Sequence, residues 1–403
     1  MRVDLRRMLG VIGVTVTVVL GTALAGGVAA AQPIPEPAAD PFYAPPPDLA
    51  AHGNGAILRS REVQPFLIGS LLPVRAWQIQ YKSLDAQNRP TTGVATVIVP
   101  TAAWAGPGAR PLLSYQVAED SLGTRCDPSY WLRAGLGAPL LDNSAEAVLT
   151  TAVLQRNWAL VIPDYQGPQA RFLDGPQAAH SILDGIRASL AFGPAGLGPG
   201  SPLAAAGYSG GAFASQWAAG RQASYAPELH FAAVAVGGVP ADLPASVPLI
   251  NHTSNAGLAI LAFQGLDRDL PDANIRSVLN DRGRRAFADD ENSCGMEILE
   301  RFSNANLEDY SAIPHPWTSP VIVTAAAREG LQDQAPAGPE YIWHSTADDV
   351  LPVASTDALV DRYRAAGAQV TYQKTAVPGH LEAGLAGLPA AMDWVQGRFA
   401  GRP

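Results

Sequence analysis

Leu203-Ala-Ala-Ala-Gly-Tyr-Ser-Gly-Gly-Ala-Phe-Ala-Ser-Gln-Trp-Ala-Ala219 is the stretch that decides the fold. Its first four residues form a short apolar run of the kind found in strands covered on both faces. Gly207-Tyr-Ser-Gly-Gly211 then matches G-x-S-x-G, and residues 212–219 are mostly small residues suited to a closely packed helix. In a chain with 39 glycines the pentapeptide alone is a weak signal. Its context makes it stronger, because strand, tight turn and helix follow one another without a gap. The expectation is a sharp turn that exposes the Ser209 hydroxyl and aims the next amide, that of Gly210, at a developing oxyanion.

A serine is a poor nucleophile unless a base takes its proton and an acid orients the base. On a turn of this kind both partners follow the serine in chain order. Five of the seven histidines do so: His230, His252, His315, His344 and His380. His380 stands in Val377-Pro-Gly-His380, directly after the last strand-like run, where it can reach the carboxyl edge of a sheet. Asp348 and Asp349 follow the preceding run, in Ser345-Thr-Ala-Asp-Asp-Val-Leu-Pro352. Spacing does not choose between these two acids. His344 falls in or at the end of its strand, and the other three histidines have no acid placed in this way.

Outward from this centre, β-rich runs alternate with helical patterns. Residues 75–82 alternate at period two, with 93–99 as their hairpin partner. Residues 111–115, 158–162, 203–206 and 231–236 are continuous apolar runs, and 340–344 and 369–374 extend the series. Helical patterns fall at 145–155, 178–192, 211–220, 355–366 and 389–399. The alternation predicts an α/β fold, a mostly parallel sheet flanked by helices. Residues 240–329 break the pattern, with helical periodicity at 256–263, 274–285 and 296–302 and no clear strand. They are read as a mostly helical lid or cap insertion.

Residues 1–8 are basic, 9–24 are apolar, and Val28-Ala-Ala-Ala31 supplies the small residues of a cleavage site. Residues 1–31 are therefore read as a signal peptide, cut after Ala31, and residues 32–403 as the mature domain. The expected location is secreted, extracellular or associated with the cell envelope, with no stable transmembrane segment in the mature chain. Export makes a disulfide between Cys126 and Cys294 the default. Two cysteines without a nearby histidine pair do not suggest a zinc site, and no metal or organic cofactor is expected. The formal charge is −9, and removing the leader's net +2 leaves −11, which disfavours nucleic acid and anionic membranes as partners. Apolar residues at 47% exclude a disordered chain, and the single short apolar stretch excludes a polytopic membrane protein.

Several separate stretches together resemble the secretory lipase family, fungal lipase A and its bacterial relatives within the α/β-hydrolases. They are Asp40-Pro-Phe-Tyr43, Ser114-Tyr-Gln-Val-Ala-Glu-Asp-Ser121, Cys126-Asp-Pro-Ser-Tyr130, Leu183-Asp-Gly-Ile-Arg187, Gly207-Tyr-Ser-Gly-Gly211, Ser224-Tyr-Ala-Pro-Glu-Leu229 and the run from Trp343 to Pro352. The resemblance implies Ser209 as nucleophile, Asp348 rather than Asp349 as orienting acid, and His380 as general base. It also implies Gly210 and Asp120 as the oxyanion hole, and it supports the Cys126–Cys294 pair. An ionised Asp120 side chain would repel an oxyanion, so its backbone N–H or a protonated carboxyl has to serve.

The reading is a secreted serine ester hydrolase, a lipase acting on acylglycerols through an acyl-enzyme on Ser209. Its expected partner is an ester or lipid substrate, met at a lipid–water interface. The alternatives are a short-chain carboxylesterase or acyltransferase with the same triad, and a non-catalytic lipid carrier that has kept the pocket.

Overall fold

The computed structural model describes residues 34–67, 72–135, 150–151 and 153–402. The leader expected at 1–31, and residues 145–149 and 152 of the helix expected at 145–155, lie outside the described residues. Among the described residues, nine strands form one sheet in the order β1-β2-β3-β5-β4-β6-β7-β8-β9. The strands are β1 (Ile57–Val63), β2 (Val74–Leu84), β3 (Pro90–Pro100), β4 (Leu112–Gln116), β5 (Ala159–Pro163), β6 (Leu203–Tyr208), β7 (Phe231–Gly237), β8 (Glu340–Ser345) and β9 (Val370–Thr375). β1, β2 and β3 pair antiparallel, β3 also pairs antiparallel with β5, and from β5 to β9 every pairing is parallel.

The hairpin expected over 75–99 forms between β2 and β3. Its turn is shaped by Asp85, whose Oδ1 accepts the amides of Gln87 (2.9 Å) and Arg89 (2.8 Å). Asn88 takes the left-handed backbone there (φ 59°), which Asn tolerates better than most residues. β1 has no counterpart in the sequence reading. It is an edge strand, Ile-Leu-Arg-Ser-Arg-Glu-Val, whose charged residues hide any apolar alternation.

Helices cover both faces. In chain order they are α1 (Pro128–Ala134), α2 (Gly175–Ala191), α3 (Gly210–Tyr225), α4 (Leu243–Ile250), α5 (Gly257–Asp269), α6 (Asp281–Asp289), α7 (Gly295–Arg301), α8 (Pro320–Arg328), α9 (Val353–Ala365) and α10 (His380–Phe399). The pleat sends Ala205 to one core with Ile182 of α2 and Phe213 and Trp217 of α3. Ala204 and Ala206 go to the other core, with Trp131 of α1 and Leu388 and Met392 of α10. The alanines of β6 let helices approach on both sides at the strand that carries the turn.

Two expectations need correction. The helix read at 389–399 begins at His380, because Pro389 lies inside it rather than at its start. Ala383, Gly384, Gly387, Leu388, Ala391, Met392 and Val395 are buried across the proline, so packing offsets the missing backbone bond. The helix read at 274–285 is broken into a 3₁₀ turn, Ile275–Val278, and α6. Asn280 makes the break by capping α6, its side chain accepting the Gly283 amide at 3.0 Å. Residues 240–329 are otherwise helical, with one isolated bridge between Leu279 and Ser311.

Glu340 opens β8 fully buried, where Gln216 donates to one carboxylate oxygen and the other has no partner among the described residues. Burial pushes its carboxyl up to about 8, against a weaker opposite pull from Gln216. With the folded value above the unfolded one, its contribution is intact below the unfolded value and is lost as pH rises towards 8. Glu340→Gln is therefore expected to flatten the fall in stability between pH 5 and 8. Between pH 5 and 8 the stability difference between variant and wild type should grow by on the order of 3 kcal/mol. Denaturant unfolding at both pH values checks this, and parallel wild-type and variant curves would refute it.

Candidate active site

Ser209 sits between the end of β6 and the start of α3 with φ 53° and ψ −121°, a conformation costly for a residue with a side chain. Its amide donates to the Gly237 carbonyl at the end of β7 (3.0 Å), and its carbonyl accepts the Phe213 amide (3.1 Å). The flanking glycines are required by close approach. A Cβ on Gly207 would strike the Gly211 carbonyl, and one on Gly211 would strike the Gln116 carbonyl at the end of β4.

His380 is the first residue of α10, and its Nε2 lies 2.8 Å from Ser209 Oγ. Its Nδ1 lies 2.8 Å from Asp348 Oδ2. An ionised carboxylate only accepts, so Nδ1 carries the ring proton and Nε2 presents its lone pair to the serine hydroxyl. The Tyr208 hydroxyl donates to the His380 carbonyl at 2.6 Å, and the two rings lie 4.9 Å apart. These contacts fix the ring from the backbone side.

Asp348 is 1% exposed at its side chain, against 13% for His380. Burial pushes its carboxyl up, but the hydrogen bond and charge of His380 and the amides of Leu351 and Val350 pull harder. It rests below the usual carboxylate value. Those two amides bond Oδ1 at 2.8 and 2.9 Å, leaving Oδ2 for the histidine. Of the two acids that spacing left open, Asp348 is the one that faces the histidine ring, and Asp349 is bonded elsewhere. Its Oδ1 accepts the His380 amide (2.7 Å) at the N-terminus of α10, where negative charge is favoured.

Gly210 follows the serine, and Asp120 lines the same pocket. A Cβ on Gly210 would strike the Asp120 carboxylate, so that side chain covers the Gly210 Cα. Asp120 itself has φ 34°, a second strained position beside the first. Ser209, Gly210 and Asp120 form the polar end of a pocket of about 70 Å³. Its walls are apolar and come mostly from residues 240–329, among them Leu243, Val247, Leu258, Phe263 and Ile322, with Phe172 and Leu173 from the stretch before α2.

One neighbour escaped the sequence reading. His344, fully buried, places Nε2 3.4 Å from Asp348 Oδ2 and 3.2 Å from the Leu351 carbonyl, while Nδ1 meets Thr356 Oγ1 at 2.9 Å. Burial holds its pKa below the ordinary value, so it stays neutral behind the acid. The only signal was a histidine four residues before the aspartate, which does not reveal that the strand end is enclosed. His315 pairs instead with Glu308 at 2.7 Å on the surface. Cys126 and Cys294 are bonded, with Cα atoms 5.7 Å apart. Among the described residues no group of three or more metal-binding side chains gathers, and no helix is long and apolar enough to cross a membrane.

A family model described as secretory lipase matches residues 136–403. The chain is 33% identical to a Mycobacterium tuberculosis protein described as a probable inactive lipase, over 91% of this chain and 83% of that one. It is 32% identical to lipase A of Arthroderma benhamiae, over 92% of this chain and 81% of the relative. The solved structure of Candida antarctica lipase A superposes with a TM-score of 0.82 at 30% identity, covering 92% of this chain and 88% of that one. The chain belongs to the secretory lipase family and, with it, to the carboxylic ester hydrolases.

Proposed function

We propose that this protein is a secreted lipase that hydrolyses acylglycerols through an acyl-enzyme on Ser209. The observation that carries the reading is the unbroken line from Ser209 Oγ to His380 Nε2 and from His380 Nδ1 to Asp348, with both links 2.8 Å. His380 Nε2 takes the hydroxyl proton as Ser209 Oγ attacks the ester carbonyl. Asp348, held ionised, stabilises the imidazolium that forms. The carbonyl oxygen becomes an oxyanion and accepts hydrogen bonds from the Gly210 amide and from a donor on Asp120. When the intermediate collapses, the alcohol leaves with the proton returned by His380. Water then gives a proton to Nε2, attacks the acyl carbonyl and releases the fatty acid and the free serine.

The apolar walls supplied by residues 240–329 support an acyl chain as the group bound beside Ser209, and that segment serves as the lid. The signal-like residues 1–31 and the Cys126–Cys294 bond support export with cleavage after Ala31. Residues 32–403 then make up the mature hydrolase. A mature N-terminus at Gln32 in culture medium, read by mass spectrometry, is the expected result. A chain kept inside the cell with residues 1–31 attached would overturn the export reading.

A catalytically silent reading has one observation in its favour, the likeness to a relative described as a probable inactive lipase. Hydrolysis of p-nitrophenyl esters from acetyl to palmitoyl separates the two. The wild type is expected to cleave them, and Ser209→Ala to lose at least about 10³-fold in kcat. Asp348→Asn should lose about 10³- to 10⁴-fold at nearly unchanged KM, because the amide favours the wrong histidine tautomer. A rate that climbs once the ester exceeds its solubility supports a lipase, and one that falls steeply with acyl length supports a short-chain carboxylesterase. Transfer to added alcohol in preference to water supports an acyltransferase. If wild type and Ser209→Ala are equally inactive on every ester, the ester-hydrolase reading is overturned and the lipid-carrier and amidase readings take its place.

A further inference from the structure

The loop after β4, residues 119–126, carries the Asp120 donor and ends at the disulfide. Nearly everything that holds its outer half comes from the insertion. Arg268, near the end of α5, donates from Nη1 to the carbonyls of Leu122 (2.9 Å), Gln169 (2.9 Å) and Ala170 (2.8 Å). From Nη2 it donates to the Glu291 carbonyl (2.6 Å). One guanidinium thus joins three backbone segments that are far apart in sequence. The Leu122 amide donates to the Ser293 carbonyl at 3.0 Å, so residue 122 is gripped at both its N–H and its C=O. A Cβ on Gly295 would strike the Asp120 carbonyl, so the insertion's backbone lies directly against the residue that carries the donor. Arg125 pairs with Glu297, and Cys126 is bonded to Cys294.

Two segments joined by Arg268 hold strained residues, Asp120 at φ 34° in the one and Ala170 at φ 45° in the other. Such conformations persist only where the surroundings impose them. An oxyanion donor is effective only when held within a few tenths of an ångström before the reaction begins. A flat fork of five N–H groups can bond four carbonyls at once, whereas an ammonium has three donors in a different geometry.

We propose that Arg268 is a positioning residue for the oxyanion hole, and that residues 265–297 of the insertion act as the fixed template of the 120–126 loop. The proposal rests on the ester-hydrolase reading for its kinetic consequence but not for its structural one. It implies that any opening of the lid spares this part, because the part is bonded to the loop it shapes.

The test compares wild type with Arg268→Lys and Arg268→Gln, and uses Arg75→Gln, an exposed arginine of β2 outside the template and the loop contacts, as control. Both Arg268 variants are expected to lose at least about 10-fold in kcat with less than a two-fold change in KM. Affinity for an alkyl trifluoromethyl ketone, which forms a tetrahedral oxyanion on Ser209, should fall by the same factor as kcat/KM. The pH profile of kcat/KM should keep its midpoint, since the Ser209–His380–Asp348 line is untouched. Hydrogen exchange at amides 120–123 should quicken at least 10-fold in Arg268→Lys, with β4 and α3 unchanged. A purely structural role would instead lower the active fraction, leaving the kcat of folded enzyme and the exchange pattern as in wild type, and would overturn the proposal. If Arg268→Gln fails to fold, Arg268→Lys and its exchange pattern still decide. If wild type cleaves no ester, the functional reading fails, while unchanged exchange at 120–123 would separately refute the template.

Discussion

The backbone of Ser209 is the constraint around which the rest of this structure is arranged. A serine at φ 53° is unfavourable on its own, and it is held by a strand that ends at Tyr208 and a helix that begins at Gly210. Its amide is tied to β7 and its carbonyl to the first turn of α3. The glycines at 207 and 211 let the Gly211 and Gln116 carbonyls come close enough to lock the turn. The other parts of the candidate site are delivered to the same place by the carboxyl ends of neighbouring parallel strands. β4 leads to Asp120, β8 to Asp348, and β9 to His380. In a parallel sheet these ends lie on one edge, so four distant parts of the chain meet without any long excursion.

Burial alone does not set the charge of a carboxylate here. Asp348 and Glu340 are both enclosed, Glu340 at the start of β8 and Asp348 in the turn that follows its end. Asp348 has two backbone amides on one oxygen and an imidazole on the other, and stays ionised. Glu340 has a single amide side chain for company, and burial raises its carboxyl to about 8. The difference lies in the number and placement of donors. Asp349, beside Asp348 in sequence, faces outward and caps the helix that carries His380. Two adjacent aspartates thereby support one histidine, the first through its ring and the second through its amide.

The 240–329 segment makes two kinds of contact. Its apolar side chains wall the pocket beside Ser209, a surface that a substrate has to reach. Its segment from Arg268 to Glu297 is fastened to the loop beneath by backbone hydrogen bonds, an ion pair and a disulfide. The fastened part is the one next to Asp120, where displacement would cost most.

The sequence by itself determined the sheet and its centre. Apolar runs at 111–115, 158–162, 203–206 and 231–236 become β4 to β7 almost residue for residue, because strands buried on both faces leave an uninterrupted signal. The Ser209 turn and the His380 loop were legible from a motif and from chain order, and the pairing of two cysteines from the signal-like composition of residues 1–31. Edge strand β1 was not legible, since an exposed edge carries charge instead of alternation. Nor was the start of α10, where burial of one helix face outweighs Pro389. Spacing left Asp348 and Asp349 open and the resemblance pointed to Asp348, but only the tertiary structure decided how each aspartate is held, that neutral His344 stands behind Asp348, and that Arg268 joins three segments of backbone. Each of these depends on where side chains end in space, and residues 348 and 349 or 122, 169 and 291 carry no mark of that in their order along the chain.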